Sequence, residues 1–265
     1  MMKMRILLFF LCFFTLSGCA SVPADPAEKE AYYEANDPLE PFNRKIFAFN
    51  MAADKYALRP IAEGYRAVTT SGFRSKVRTF LGNLKTPLTI VNDVLQLNLK
   101  NAGLDLSRFI INTTLGFLGV YDVADKMGIP SNTQGFGTTM GVWDIPSGPY
   151  LVLPFLGPSS VRDASGFVGD VFLDPMYYVG RNGDDPDRKR TFLAIDGTDA
   201  LTTYESMIDL MDEGKKSSLD FYAFMRSMYQ QHRKKTVERA KGTPPSGQEK
   251  SNYEFSLDDE DDSEE

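Results

Sequence analysis

The chain of 265 residues predicts a mainly helical fold interrupted by one irregular, Gly/Pro-rich insertion. Two observations lead there. Over most of residues 37–241 the apolar side chains recur at spacings of three and four, which gathers them on one face of a helix. Glycine and proline crowd into residues 128–158 instead, where no helical period survives. With 42% hydrophobic and 12% aromatic residues there is ample material for a core.

The elements follow in order. Leu39, Phe42, Ile46, Phe49, Ala53 and Tyr56 form the first apolar stripe. Pro41 suits a first helical turn, so this helix starts there, after a turn at Asp37-Pro38. Ser71 reads as the cap of a second helix carrying Phe73, Val77, Phe80, Leu81 and Leu84, and Pro87 as the start of a third carrying Leu88, Val91, Val94 and Leu95. Leu106, Phe109, Ile110 and Leu115 make a fourth, stopped by Gly116 and Gly119. Within the insertion Tyr150 to Leu153 reads as extended. Ser159 then caps a helix with Val161, Ala164, Val168 and Phe172 on one face, and two more helices cover 187–211 and 218–240. Residues 242–265 hold nine acids and one lysine and read as a disordered acidic tail.

The start of the chain has a different character. Lys3 and Arg5 precede an apolar run from Ile6 to Leu16, which is too short to span a bilayer. Leu16, Ser17 and Gly18 then stand directly before Cys19, the pattern of a bacterial lipoprotein signal. Residues 1–18 are therefore expected to be removed and Cys19 to be acylated. Several acyl chains anchor a protein stably where one holds only marginally. Ala20 and Ser21 follow, without the aspartate that favours inner-membrane retention in enterobacteria, so the expected address is the periplasmic face of the outer membrane. Residues 19–36, rich in Ala, Pro and Glu, read as the lipidated tether of a helical domain at 37–241.

Composition excludes several chemistries. The other cysteine, Cys12, leaves with the signal and Cys19 is acylated, so the mature chain is expected to have no thiol for a disulfide, a nucleophile or a metal. His232 is the only histidine and sits among Arg233, Lys234, Lys235 and Arg239, a setting that suits a solvated helix end better than a general base. Gly157, Ser159 and Val161 miss the last glycine of an esterase elbow. Gly135, Gly137 and Gly141 have the wrong spacing for a nucleotide loop. No enzyme activity, metal or cofactor is expected. Nucleic acid is not expected either, because the chain is exported and its basic run at 233–241 is followed at once by the acidic tail. That run reads as a solvated face, with contact to lipid headgroups or a protein as the alternative.

Specific blocks carry more. Asn36-Asp37-Pro38-Leu39-Glu40-Pro41-Phe42-Asn43-Arg44, then Phe49-Asn50 and Arg59-Pro60, resemble the opening signature of the VacJ/MlaA family of outer-membrane lipoproteins. Val91-Asn92-Asp93, Leu95-Gln96, Arg108-Phe109, Asn112, Gly116-Phe117-Leu118-Gly119 and Asp122 continue it. So do the run from Gly135 to Trp143, the run from Gly148 to Ser159, and Arg162-Asp163. Gln134-Gly135 stands where the family often has an acid, and Trp143-Asp144-Ile145-Pro146 replaces a glycine-richer stretch.

The resemblance implies a ring-like helical body in the inner leaflet of the outer membrane, beside trimeric porins. It implies a retrograde phospholipid pathway, in which an amphipathic channel takes misplaced phospholipids from the outer leaflet. A soluble periplasmic lipid-carrier protein and an inner-membrane ATP-driven transporter would receive them. On that reading Phe136, Gly137, Gly141, Trp143, Gly148, Pro149 and Tyr150 are candidate channel or gate residues, since irregular backbone is tolerated at membrane depth where it lines a cavity. Asp37, Pro38, Leu39, Phe42, Asn43 and Arg44 are expected to fix the first helix rather than touch lipid. A structural or porin-binding lipoprotein, acting on the envelope barrier indirectly, is the alternative, and a phospholipase is a distant third.

Overall fold

A computed structural model describes residues 35–180 and 185–242. The lipoprotein signal, Cys19, the tether up to residue 34 and the acidic end from residue 243 lie outside the described residues. Helix α1 (Glu40–Ala53) begins with Pro41 in its first turn and runs through one π-helical turn, Asp54–Leu58, into α2 (Arg59–Val68), which has Pro60 at its start. Thr70 is the cap of α3 (Ser71–Leu95), its hydroxyl accepting from the Phe73 amide at 3.2 Å.

Helix α3 corrects an expectation. Pro87 lies inside one continuous helix of 25 residues and does not open a new one. An interior proline removes one hydrogen bond and crowds a carbonyl, about 3 kcal/mol against the helix; here packing along its length against α4 (Leu99–Thr114) outweighs that local cost. Leu97 takes a left-handed conformation (φ 58°) and Asn98 caps α4, so the three-residue link folds α4 back along α3. Gly116 is required at the next turn, because a Cβ there would lie 2.2 Å from the Tyr121 carbonyl oxygen.

The Gly/Pro-rich insertion is more regular than its composition suggests. After the single turn α5 (Val123–Lys126), it contains α6 (Phe136–Val142) and a two-stranded antiparallel hairpin, β1 (Tyr150–Leu153) with β2 (Gly157–Ser160), in register from Tyr150↔Ser160 to Leu153↔Gly157. Helix α7 (Val161–Leu173) is capped by Ser160 and not Ser159, which is a strand residue. Helices α8 (Pro175–Gly180), α9 (Pro186–Ser217) and α10 (Phe221–Ala240) complete the described chain, with Asp185 and Asp220 capping the last two.

Helix α9 packs on α2 and α3, and α10 closes against α6 and β2. The main apolar core is small: Tyr150, Val152 and Tyr222, with Ile46, Phe47 and Tyr229 around them. Two asparagines one heptad apart dock β1 on α1. Asn43 accepts from the Val152 amide at 3.0 Å and donates to the Tyr150 carbonyl, and Asn50 does the same for Phe155 and Leu153. Their side-chain amides thus stand in for a neighbouring strand, satisfying an edge that would otherwise be bare.

A polar interior and a cationic cavity

The polarity of α1, α3 and α4 is inverted. In α1 the buried positions are Asn43 and Asn50, followed by Asp54 in the π turn, whereas Phe49 and Tyr56 of the apolar stripe are 47% and 75% exposed. Helix α3 buries Asn83, Thr89, Asn92 and Asp93, and α4 buries Asp105, Arg108 and Asn112. Outward go Phe73, Val94, Leu106, Ile110 and Leu115, then Phe167, Val168 and Phe172 of α7. Isolated exposed apolar residues are ordinary, but exposed apolar faces on successive helices mark a surface that meets lipid or protein.

Ion pairs hold the inside together. Glu205 of α9, 3% exposed, accepts from Arg66 at 2.8 Å and from Arg78 at 3.1 Å, and Arg74 forms an ion pair with it at 3.1 Å. Asp163 accepts from Arg233 in a two-pronged pair at 2.6 and 2.7 Å, and from the Tyr229 hydroxyl. Burial opposes its ionisation, yet those hydrogen bonds hold its carboxyl below the ordinary value. Asp37 is buried and accepts from Asn43, the Tyr222 hydroxyl and Arg226. Burial and the Asp37 hydrogen bond raise the Tyr222 hydroxyl, which stays protonated as the donor.

A cavity of about 290 Å³ opens between α3, α4 and the stretch 131–133. Arg78, Lys85 and Arg108 line it, with Asp122 as its one carboxylate and amides and hydroxyls such as Asn83, Asn112, Thr86 and Thr89 between them. Arg108 is bonded to Asp122 at 2.7 Å and to the Ile129 carbonyl, and Lys85 reaches Asp199 of α9. Burial opposes the charge on Asp122, but bonds from the Asp125 amide, Asn112 and Arg108 keep its carboxyl below the ordinary value. Behind this wall Asp93 and Asp105 face one another, both buried. Burial, a hydrogen bond and the neighbouring charge push Asp93 up to about 8, and burial also raises Asp105 against the opposing charge of Arg108. The pair holds a proton at neutral pH, and the Asn132 amide donates to Asp93 at 3.3 Å.

The candidate gate residues fall elsewhere. None of the seven lines this cavity; the insertion reaches it through Ser131, Asn132 and Thr133. Phe136 stacks edge-on against Trp143, whose indole donates to the Leu95 carbonyl at 3.2 Å while remaining 48% exposed. Gly137 lets α6 and α7 touch, since a Cβ on Gly166 opposite would lie 2.3 Å from the Gly137 nitrogen. Gly141 packs against Val237 and Arg162 in the same manner. Gly148 has φ +67°, the carbonyl of Pro149 accepts from Val161, and Tyr150 is in the core. In the opening signature, Asp37 and Asn43 are buried, Arg44 pairs with Glu40 and Asp220 on the surface, and Pro38, Leu39 and Phe42 shape the entry to α1.

Arg108, Asn112 and Asp122 stand among the resembling blocks, whereas Lys85 and Arg78 lie outside them. A polar stripe at spacings of three and four, Arg78, Gly82, Lys85, Thr86 and Thr89, was the available signal. Among the described residues no group of three or more His, Cys, Asp or Glu side chains could hold a metal ion.

The model of the MlaA lipoprotein family matches residues 35–236. An uncharacterized protein of Rickettsia bellii is 40% identical over 210 residues, 78% of this chain and 79% of that protein. The intermembrane phospholipid transport system lipoprotein MlaA of Escherichia coli K12 is 34% identical over 183 residues, 67% of this chain and 70% of that protein. A solved structure described as a structural basis for maintenance of bacterial outer membrane lipid asymmetry superposes with a TM-score of 0.62 at 30% identity, covering 76% of this chain and 98% of that one. The match over nearly the whole helical part, in sequence and in shape, makes the chain a member of the MlaA lipoprotein family.

Proposed function

We propose that this protein is an outer-membrane lipoprotein of an intermembrane phospholipid transport system, anchored through Cys19, and that it takes misplaced phospholipids from the outer leaflet. The observation that carries this reading is the cationic, hydroxyl-rich cavity enclosed by helices whose outward faces are apolar. A phospholipid crossing a leaflet must keep its charged head solvated, since an unsatisfied polar group in hydrocarbon costs several kcal/mol. Arg78, Lys85 and Arg108 supply donors for the phosphate, the asparagines and threonines replace water, and the acyl tails remain against apolar surface. Among the described residues no helix is long and apolar enough to cross a membrane, which suits a body lying in one leaflet. The similarity to the intermembrane phospholipid transport system lipoprotein of Escherichia coli and to a structure concerned with outer membrane lipid asymmetry supports the lipid and the pathway.

In this reading Phe136, Gly137, Gly141, Trp143, Gly148, Pro149 and Tyr150 act on the passage from behind, by holding α6 against α7 and α10 and the hairpin against α1. A trimeric porin beside the body and a soluble periplasmic carrier as acceptor complete the proposal. Liposomes holding the acylated protein and labelled phospholipid, mixed with the carrier, test it. Transfer is expected, and Lys85→Glu should slow it about tenfold, the equivalent of one lost hydrogen bond to a charged group. No transfer by the intact protein, or an unchanged rate in the folded variant, would favour a passive porin-binding lipoprotein instead.

A further inference from the structure

A second cavity, of about 280 Å³, lies between α10, the hairpin and the start of α7, and shares no lining residue with the first. Arg162, Arg233, Lys234 and Lys241 surround it, against the carboxylates Asp163 and Glu238. Asp163 is engaged by Arg233 and Lys241 pairs with Asp144, which leaves Arg162 and Lys234 against Glu238 and a positive balance on the wall. Two buried donors on that wall lack a hydrogen-bond acceptor. One is Arg162 Nε, in a side chain only 9% exposed, whose Nη1 bonds the Ile145 carbonyl while Nε stands 3.5 Å from Asp163. The other is the hydroxyl of Tyr150, a residue 1% exposed. A buried donor left unsatisfied is costly, so two of them beside one positively charged cavity point to an anionic acceptor with several oxygens.

We propose that this cavity binds a phosphate group through Arg162, Tyr150 and Lys234, as a site separate from the lipid passage. A phosphate matches the Arg fork and a hydroxyl together, and its charge offsets the surplus of the wall. Lys234, exposed at the mouth, draws the anion in. The Asn36 side chain is also on the rim, where the N-terminal segment enters and Gln230 donates to the Ala35 carbonyl at 2.7 Å. Two sources share this chemistry, a phospholipid headgroup and a soluble phosphate ester.

The acylated protein in dodecyl maltoside, titrated calorimetrically at constant ionic strength, separates them. The probes are inorganic phosphate, glycerol 3-phosphate, and phosphatidylglycerol carried in the micelles. Tyr150→Phe removes only a hydroxyl that has no partner, so it should leave Tm unchanged or higher while weakening binding about tenfold. Lys234→Glu, on the surface, should weaken binding further without unfolding. Binding of the soluble probes that falls in both variants upholds a site for free phosphate esters. Binding of the lipid alone, falling likewise, upholds a headgroup site. No heat with any probe, or affinities within twofold of the original in both variants, overturns the proposal.

Discussion

Glu205 shows how a single side chain can organise this interior. It is a buried carboxylate with guanidinium groups from α2 and α3 around it, and removing one member of such a group leaves the others uncompensated. Glu205→Gln should lower stability by about 3 kcal/mol, or roughly 6–12 °C in Tm, measured by thermal unfolding in detergent. Asp93 behaves in the opposite sense. Its carboxyl titrates near 8 in the folded chain and near the ordinary value when unfolded, so between those limits the folded state binds more protons. Stability from this site is therefore greatest at low pH and falls as pH rises through that window. Asp93→Asn should match the original protein near pH 4 and exceed its Tm at pH 8.5; an equal difference at both would exclude the buried pair as the cause. The acids and amides of this interior were visible in the sequence as residues, but nothing in it showed that they face one another. Asp93 and Asp105 meet only because α4 folds back on α3.

The helices themselves were largely legible. Periodicity located α1, α4, α7, α9 and α10, and the extended reading of Tyr150 to Leu153 coincides with β1. The break at Pro87 was misplaced, because local propensity opposes an interior proline while long-range packing along α3 and α4 tolerates it. Pro87→Ala should restore a helical hydrogen bond and raise stability by about 1–3 kcal/mol, read as a higher Tm. The α6–α7 contact depends on the absence of side chains. Gly166→Ala would place a methyl group 2.3 Å from the Gly137 nitrogen, so the helices must separate, at about 1–3 kcal/mol. A Tm unchanged by that substitution would show that the two helices are not held at this spacing. Gly137 and Gly166 are the places where the two helix backbones touch.

Helices α1, α3 and α4 reverse the usual distribution of polarity, with asparagines, aspartates and threonines inside and phenylalanines, leucines and isoleucines outside. Such a surface should bind a bilayer without help from acyl chains. The Cys19→Ser protein, exported and purified, is expected to float with phospholipid vesicles in a density gradient. If it stays with the soluble fractions, the apolar faces are covered by protein and not by lipid. The same substitution should abolish the diacylglyceryl mass on the mature N-terminus, which mass spectrometry reads directly.

By itself the sequence determined that the chain is mainly helical, where most helices run, and which family it resembles, because these depend on short-range period, caps and ordered blocks. Which side of each helix faces inward was decided only by the tertiary structure. An amphipathic stripe has two faces, and its period is the same whether the apolar one meets a core or a membrane. Only the packed helices show that the polar stripes converge on a cavity, bringing Lys85 of α3 and Arg108 of α4 to one wall.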